Sequence, residues 1–230
     1  MGHHQDKEAL FDGLVEAARA LGNGRRAELI DVLAQGERPV DELAAEIHQS
    51  MANTSQHLQR LLRAGLVCSR RSGTRIYYSL ASPAVERLWR ALRETAEAHS
   101  RELGDLVRAY VGDRADLSTI TRDELLLRLQ QGDVVVLDVR PQQEYDAGHI
   151  PGSLSLPVSD VTSRLREVPQ GSEIVAYCRG PYCLYADEAV RLLTDEGHVA
   201  TRLEEGFPEW KASGLPVEQS ATARNSLPQP

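Results

Sequence analysis

Residues 174–186 read IVAYCRGPYCLYA. Ile174, Val175, Ala176 and Tyr177 form an apolar run of the length and composition of a buried strand. The run stops at Cys178. Gly180 and Pro181 supply a tight turn, and Leu184-Tyr185-Ala186-Asp187-Glu188-Ala189-Val190 opens a helical pattern. A thiol at the end of a buried strand, just before a helix N-terminus, sits where backbone N–H groups and the helix dipole favour negative charge. Cys178 is therefore expected to have a lowered pKa and to react as thiolate.

Working outward, Thr121 and Glu124 make a capping box that opens a helix ending at Gly132. Residues 134–139 are an apolar strand, 153–156 a short strand, 159–168 a helix, 184–196 a helix and 199–203 another strand. This alternation predicts an α/β domain with a mainly parallel sheet. Ligands of such sheets bind at the C-terminal strand ends, where Cys178 lies. Four motifs stand in order: Leu137-Asp138-Val139-Arg140; Tyr145-Asp146-Ala147-Gly148-His149-Ile150-Pro151-Gly152-Ser153; the Cys178 loop; and Gly206-Phe207-Pro208-Glu209-Trp210 followed by Gly214-Leu215-Pro216. Over about residues 117–218 the chain resembles a single-domain rhodanese. The resemblance implies that Cys178 accepts a sulfane sulfur as a persulfide and passes it to a nucleophile. By its charge Arg179 is expected to attract a small anionic sulfur donor such as thiosulfate, polysulfide or a persulfide, and the resemblance implies that Asp138 and Arg140 brace the pocket. His149 reads as part of a structural turn.

Two residues depart from that pattern. Pro181 stands where such loops usually carry glycine, and proline has no N–H to offer the sulfur. The loop also ends in Cys183. A second thiol weakens the case for an efficient sulfurtransferase and strengthens one for a redox switch, with Cys183 as the partner of Cys178. Two unlinked cysteines, with Cys183 packed at a helix start, remain the alternative. Sequence does not give the Cα separation that a disulfide requires.

The net charge of −8 argues at first against nucleic acid, but its distribution does not. Residues 1–111 carry 15 basic and 15 acidic side chains, so the whole excess lies in the remainder. No Asp or Glu occurs between Glu46 and Glu86, an interval that holds Arg60, Arg63, Arg70, Arg71 and Arg75. Such a local basic face suits DNA. No apolar run is long enough to span a membrane, and three cysteines make no secreted disulfide framework. A cytoplasmic protein without a membrane partner is expected.

In that first half, apolar spacing predicts helices over residues 5–21, 25–34, 39–48 and 50–64. A hairpin follows over 66–80 with its turn at Ser72-Gly73, and then one long helix carrying Val85, Leu88, Trp89, Leu92, Ala96, Leu103, Leu106 and Tyr110 on one stripe. This order describes a mainly α winged helix-turn-helix. The stretches Pro39-Val40-Asp41-Glu42-Leu43-Ala44, Asn53-Thr54-Ser55-Gln56-His57-Leu58-Gln59-Arg60-Leu61, Ala64-Gly65-Leu66-Val67 and Arg71-Ser72-Gly73-Thr74-Arg75-Ile76-Tyr77-Tyr78-Ser79-Leu80 resemble the ArsR/SmtB family of bacterial repressors. The resemblance implies a homodimer built from the first and last helices, with the fourth helix in the major groove of a double-stranded DNA operator.

On that fourth helix Asn53, Ser55, Gln56 and Arg60 lie opposite Leu58 and Leu61. Asn, Gln and Arg read base edges, while Ser and Thr, Thr54 included, contact bases or phosphates. His57 either touches phosphate or completes local packing. Arg70, Arg71 and Arg75 on the wing suit phosphates or a narrow minor groove. The resemblance points to metal sites at a Cys-x-Cys pair on the third helix or at a carboxylate and histidines on the last; here the third helix lacks cysteine and Leu88 interrupts the set Glu86, His99, Glu102, so no metal is expected. No cofactor is expected either. Cys68, at the base of the wing, reads as a small buried hydrophobe.

The chain thus divides into a winged-helix domain over 1–111, a linker over 112–117, an α/β rhodanese-like domain over 118–218 and a disordered tail over 219–230. The leading functional expectation is a repressor that senses reactive sulfur or oxidant through Cys178. The rival is a sulfurtransferase with an appended DNA-binding domain. A third possibility makes the second domain an inert interaction module.

Overall fold

The structure is a computed structural model that describes residues 2–132, 134–169 and 171–220. It forms two compact units, residues 1–98 and 99–230.

The first unit holds α1 (Gly2–Leu14), α2 (Glu16–Leu21), α3 (Gly24–Ala34), β1 (Arg38–Pro39), α4 (Val40–Glu46), α5 (Met51–Arg63), β2 (Val67–Ser72), β3 (Arg75–Leu80) and α6 (Pro83–His99), whose last residue passes the division. Its core gathers Leu29, Ile30, Leu43, Ile47, Leu58 and Leu61, all fully buried, with Leu66, Val67, Tyr78 and Val85 around them. Ser50 caps α5 by accepting from the Asn53 N–H at 3.2 Å, and Gly65 ends the turn after it at φ +70°. The hairpin pairs Val67 with Leu80 through to Ser72 with Arg75, so the turn is Gly73-Thr74, one residue later than its composition suggests. Two other features differ from expectation. The first helix breaks at Val15, and the two-residue strand β1 adds an edge to the hairpin, Arg38 opposite Tyr78.

The stripe predicted as one long helix is two. α6 stops at His99, and Ser100 caps α7 (Arg101–Val111) by accepting from the Leu103 N–H at 3.1 Å. A side-chain cap competes with helix continuation, which is why apolar periodicity alone misses the break. α7 therefore belongs to the second unit, and it buries none of its side chains within that unit.

The rest of the second unit comprises β4 (Thr119–Ile120), α8 (Arg122–Gln131), β5 (Val134–Asp138), α9 (Gln142–Ala147), β6 (Leu154–Ser155), α10 (Val161–Arg164), β7 (Glu173–Tyr177), α11 (Tyr185–Asp195), β8 (Val199–Leu203) and α12 (Phe207–Ala212). Thr121 and Glu124 form the expected capping box on α8. Residues 158–167 make only one α-turn flanked by two 3₁₀ turns. There Ser159 and Ser163 bond locally to Asp160 and compete with the helix. The five strands are all parallel in the order β4-β8-β7-β5-β6, which puts β7 at the centre. Its side chains alternate with the two-residue period of a strand. Ile174, Ala176 and Cys178 enter the core under α11, while Val175 and Tyr177 enter the opposite one with Phe207 and Trp210.

Two ranges read from the sequence take a different character. The segment 112–117 is stapled to α11: Arg191 reaches Asp116 at 3.1 Å and the Asp113 carbonyl at 3.0 Å, and Leu117 joins the core. Of the expected tail, Gln219 donates to the Ala147 carbonyl at 3.0 Å and Ser220 to Asp146 at 2.7 Å, so these two residues are packed. The remainder of that tail lies outside the described residues.

Candidate functional site

The centre of the parallel sheet delivers Cys178 to the C-terminal strand edge, where the loop to α11 begins. Cys178 is only 1% exposed. Its sulfur lies 3.8 Å from the Gly180 carbonyl and 3.7 Å from the Cys183 carbonyl. The N–H groups of Gly180 and Ala186 also point at it. Cys183 is half-buried and lies in the same loop. Burial, and then the neighbouring Cys183, push the Cys178 thiol well above its ordinary range. Cys183 moves the other way: the neighbouring Cys178 and the N–H groups of Arg179 and Tyr185 lower its pKa. The lowered pKa expected of Cys178 thus falls on Cys183. Desolvation outweighs the backbone cradle at Cys178, whereas Cys183 is less enclosed.

The braces lie behind the loop. Arg140 is fully buried, with Nη2 2.5 Å from Asp138 Oδ2 and 2.7 Å from the Gly148 carbonyl, and its guanidinium stacks 4.2 Å from the Phe207 ring centre. Asp138 also accepts from the Tyr177 hydroxyl at 2.6 Å. Asp138 and Arg140 therefore position the strand ends. Arg179 is not an open anion trap: its guanidinium is paired with buried Glu144, Nε to Oε1 at 2.9 Å, and lies over the Tyr185 ring. His149 stacks on Tyr145 with ring centres 3.7 Å apart and is a structural element of its turn. Gly206 backs directly onto the loop. A Cβ there would fall on backbone atoms of Gly180 and Arg179, and the neighbouring Phe207 N–H donates to the Cys178 carbonyl at 3.0 Å.

In the first unit α5 exposes Asn53, Gln56 and Arg60, with Ser55 and His57 half-buried. Thr54 is fully buried, and its hydroxyl has no partner. It faces the core and not a ligand, a correction to its place among the DNA contacts. Burial and the charges of Arg26, Arg60 and Arg25 lower the His57 pKa. On the wing Arg70 pairs with Glu37, Nε at 2.7 Å, and Arg75 lies 3.2 Å from Asp41 and 3.4 Å from Glu42. The acid-free interval is thus partly neutralised by carboxylates from just upstream, which β1 brings against β3. Arg71 is exposed, and its bond is to the Gly73 carbonyl. Cys68 is exposed on the hairpin, not buried.

Residues 121–213 match the model of the rhodanese-like domain, and residues 23–69 match that of the bacterial regulatory proteins of the arsR family. The HTH-type transcriptional regulator Rv0324 of Mycobacterium tuberculosis is 42% identical over 220 residues, 96% of each chain. This chain belongs to the arsR family of transcriptional regulators and carries a rhodanese-like domain. A protein of Allochromatium vinosum named as a sulfurtransferase is 33% identical over 85 residues, 37% of this chain and 78% of that one. A solved homodimeric winged helix-turn-helix DNA-binding domain from Mycobacterium bovis is 41% identical, covers 42% of this chain and 89% of that one, and aligns with a TM-score of 0.40.

Several features of this regulator escaped sequence reasoning. A depression of about 350 Å³ on the first unit is lined by Arg19, Arg26, Arg60 and Arg63, with Glu16 at its side. Arg26 in the first turn of α3, against the sense of the helix dipole, was its legible sign. In the second unit Glu144, Asp187, Arg114 and Arg202 surround the thiol loop. Only their three-dimensional meeting reveals them. Among the described residues no cluster of histidine, cysteine and carboxylate is arranged to hold a metal, and no helix is long and apolar enough to cross a membrane.

Proposed function

We propose that this arsR-family regulator is a homodimeric repressor whose operator affinity is set by the Cys178–Cys183 pair, acting as a sensor of reactive sulfur or oxidant. The observation that carries the reading is the pair itself: two thiols in one loop, the Cys178 sulfur 3.7 Å from the Cys183 carbonyl, one thiol with a lowered pKa, in a chain whose other domain binds DNA. Asn53, Ser55, Gln56 and Arg60 supply contacts to bases and phosphates, and Arg71 is the wing arginine without a carboxylate neighbour at hand. Dimerisation is supported by apolar side chains left outside the first unit: Leu10, Phe11 and Leu14 on α1 and Leu88 and Leu92 on α6 are 40–66% exposed. Exposed apolar surface of this kind marks an interface.

Accessibility and charge make Cys183 the attacking thiolate and Cys178 the resolving thiol. With the tetrasulfide dianion, Cys183 sulfur bonds to a sulfane sulfur and expels the trisulfide dianion. Cys178 then attacks Cys183 sulfur, giving a disulfide and hydrosulfide, which carries off the Cys178 proton. Mass spectrometry of the treated protein tests this order. Cys178→Ser is expected to accumulate a persulfide on Cys183, and Cys183→Ser to react slowly. Rapid sulfur uptake on Cys178 in Cys183→Ser reverses the order.

The backbone N–H groups aimed at Cys178 favour a second reading, a sulfurtransferase acting through a Cys178 persulfide, in keeping with the name of the Allochromatium vinosum relative. It predicts steady turnover of thiosulfate with cyanide that disappears in Cys178→Ala. Burial of the sulfur and the missing N–H at Pro181 weigh against it.

A further inference from the structure

We propose that Arg114 is a latch through which the thiol loop holds the segment 112–117, so that covalent change at the cysteines frees the chain leading back to α7. The proposal deepens the sensing role above and rests on it. Arg114 stands two residues beyond Gly112, the residue that ends α7 at φ +73°. Its guanidinium bridges three groups: Nε to Asp187 Oδ2 at 2.6 Å, Nη1 to the Pro181 carbonyl at 2.8 Å and Nη2 to the Cys183 carbonyl at 3.4 Å. Two of these are peptide oxygens of the thiol loop, and the third belongs to the helix that follows it.

Asp187 is buried and shared. Arg202 Nε lies 2.7 Å from its other oxygen, while Arg202 Nη2 reaches the Pro181 carbonyl at 3.3 Å. One buried carboxylate thus holds two guanidinium groups against the outward carbonyls of the loop. Arg202 comes from β8 inside the sheet and fixes the loop to the core. Arg114 comes from the segment after α7 and fixes that segment to the loop. Arg191 adds its two bonds to Asp113 and Asp116, so the staple has one end on α11 and one on the loop.

The Cys183 peptide is where chemistry meets the latch. Its carbonyl is 3.4 Å from Arg114 Nη2 and 3.7 Å from Cys178 sulfur. Closing the disulfide draws the two cysteines to a sulfur–sulfur bond of about 2.05 Å with a fixed torsion. In a close-packed core shared with Ala186 and Ala189, that change is expected to move a peptide group. The Cys183 carbonyl bond is the longest of the three that Arg114 makes, so it yields first. The fork geometry of arginine is essential, because a lysine ammonium at this place reaches Asp187 but cannot span to both carbonyls.

The test is amide hydrogen exchange on the full-length protein, reduced and after treatment with tetrasulfide, with operator affinity measured on the same samples. In wild type, treatment is expected to speed exchange of residues 112–117 by about tenfold or more. Reduced Arg114→Ala is expected to show that fast exchange already and to bind operator as treated wild type does, while mass spectrometry still finds its disulfide forming. Arg114→Lys is expected to follow Arg114→Ala and serves in its place if the alanine variant does not fold. Slow exchange over 112–117 in both treated wild type and Arg114→Lys overturns the latch, as does a full operator response in either variant. Faster exchange without any change in wild-type operator affinity supports the latch and overturns the sensing role instead.

Discussion

At the scale of the residue, the thiol pair makes the sharpest predictions. Because the neighbouring Cys178 lowers the Cys183 pKa, Cys183 is expected to be alkylated at a lower pH than Cys178. Cys178→Ala removes that neighbour, and the midpoint of the Cys183 alkylation profile is expected to move up; an unmoved midpoint would show that Cys178 does not set its charge. Thr54 gives a second test. Its buried hydroxyl has no partner, so Thr54→Val is expected to stabilise the protein by about 1 kcal/mol in thermal denaturation, with operator binding unchanged. Asn53→Ala and Gln56→Ala are expected to weaken binding at particular operator positions. His57 titrates with a lowered pKa. Its folded form resists protonation, so its effect on stability appears only as pH falls below the unfolded value of about 6.5, where it is destabilising. The type of each of these residues was legible in the sequence, but its burial was not. Thr54 and Cys68 exchanged their expected places because helix phase and strand face decide exposure, and a one-residue error in either inverts it.

At the scale of the element, the loop after β7 depends on what backs it. Gly206→Ala places a Cβ against the Gly180 and Arg179 backbone, and backbone cannot give way as a flexible side chain does. A loss of about 2 kcal/mol or more of stability is expected, with faster exchange in the thiol loop. A near-wild-type melt for Gly206→Ala would contradict the close approach. On the wing, Arg71→Ala is expected to reduce the salt dependence of DNA binding by about one phosphate contact. Arg70→Ala is expected to change it less, since Arg70 is already tied to Glu37. The order of strands and helices was readable because apolar runs, caps and glycines mark it locally. The break at Ser100, the edge strand β1 and the carboxylates facing the wing were not, since each depends on contacts between residues distant in sequence or on a cap competing with a longer helix.

At the scale of the whole molecule, one chain joins a winged-helix unit of the arsR family to a parallel-sheet unit with a thiol pair at its central strand. Both were legible from ordered motifs, and the family match confirms them. The sign of the coupling between the units follows from the proposed repressor role: modification lowers operator affinity, and a tenfold loss needs only about 1.4 kcal/mol of differential stability between states. The most direct measurement is fluorescence anisotropy of the reduced protein on DNA from its own promoter, before and after stoichiometric tetrasulfide, beside Cys178→Ser and Cys183→Ser. The expected result is that wild type binds and is released on treatment, while both variants, unable to close the disulfide, stay bound. Equal release in wild type and both variants, or binding unchanged by treatment in all three, would contradict sensing through the thiol pair.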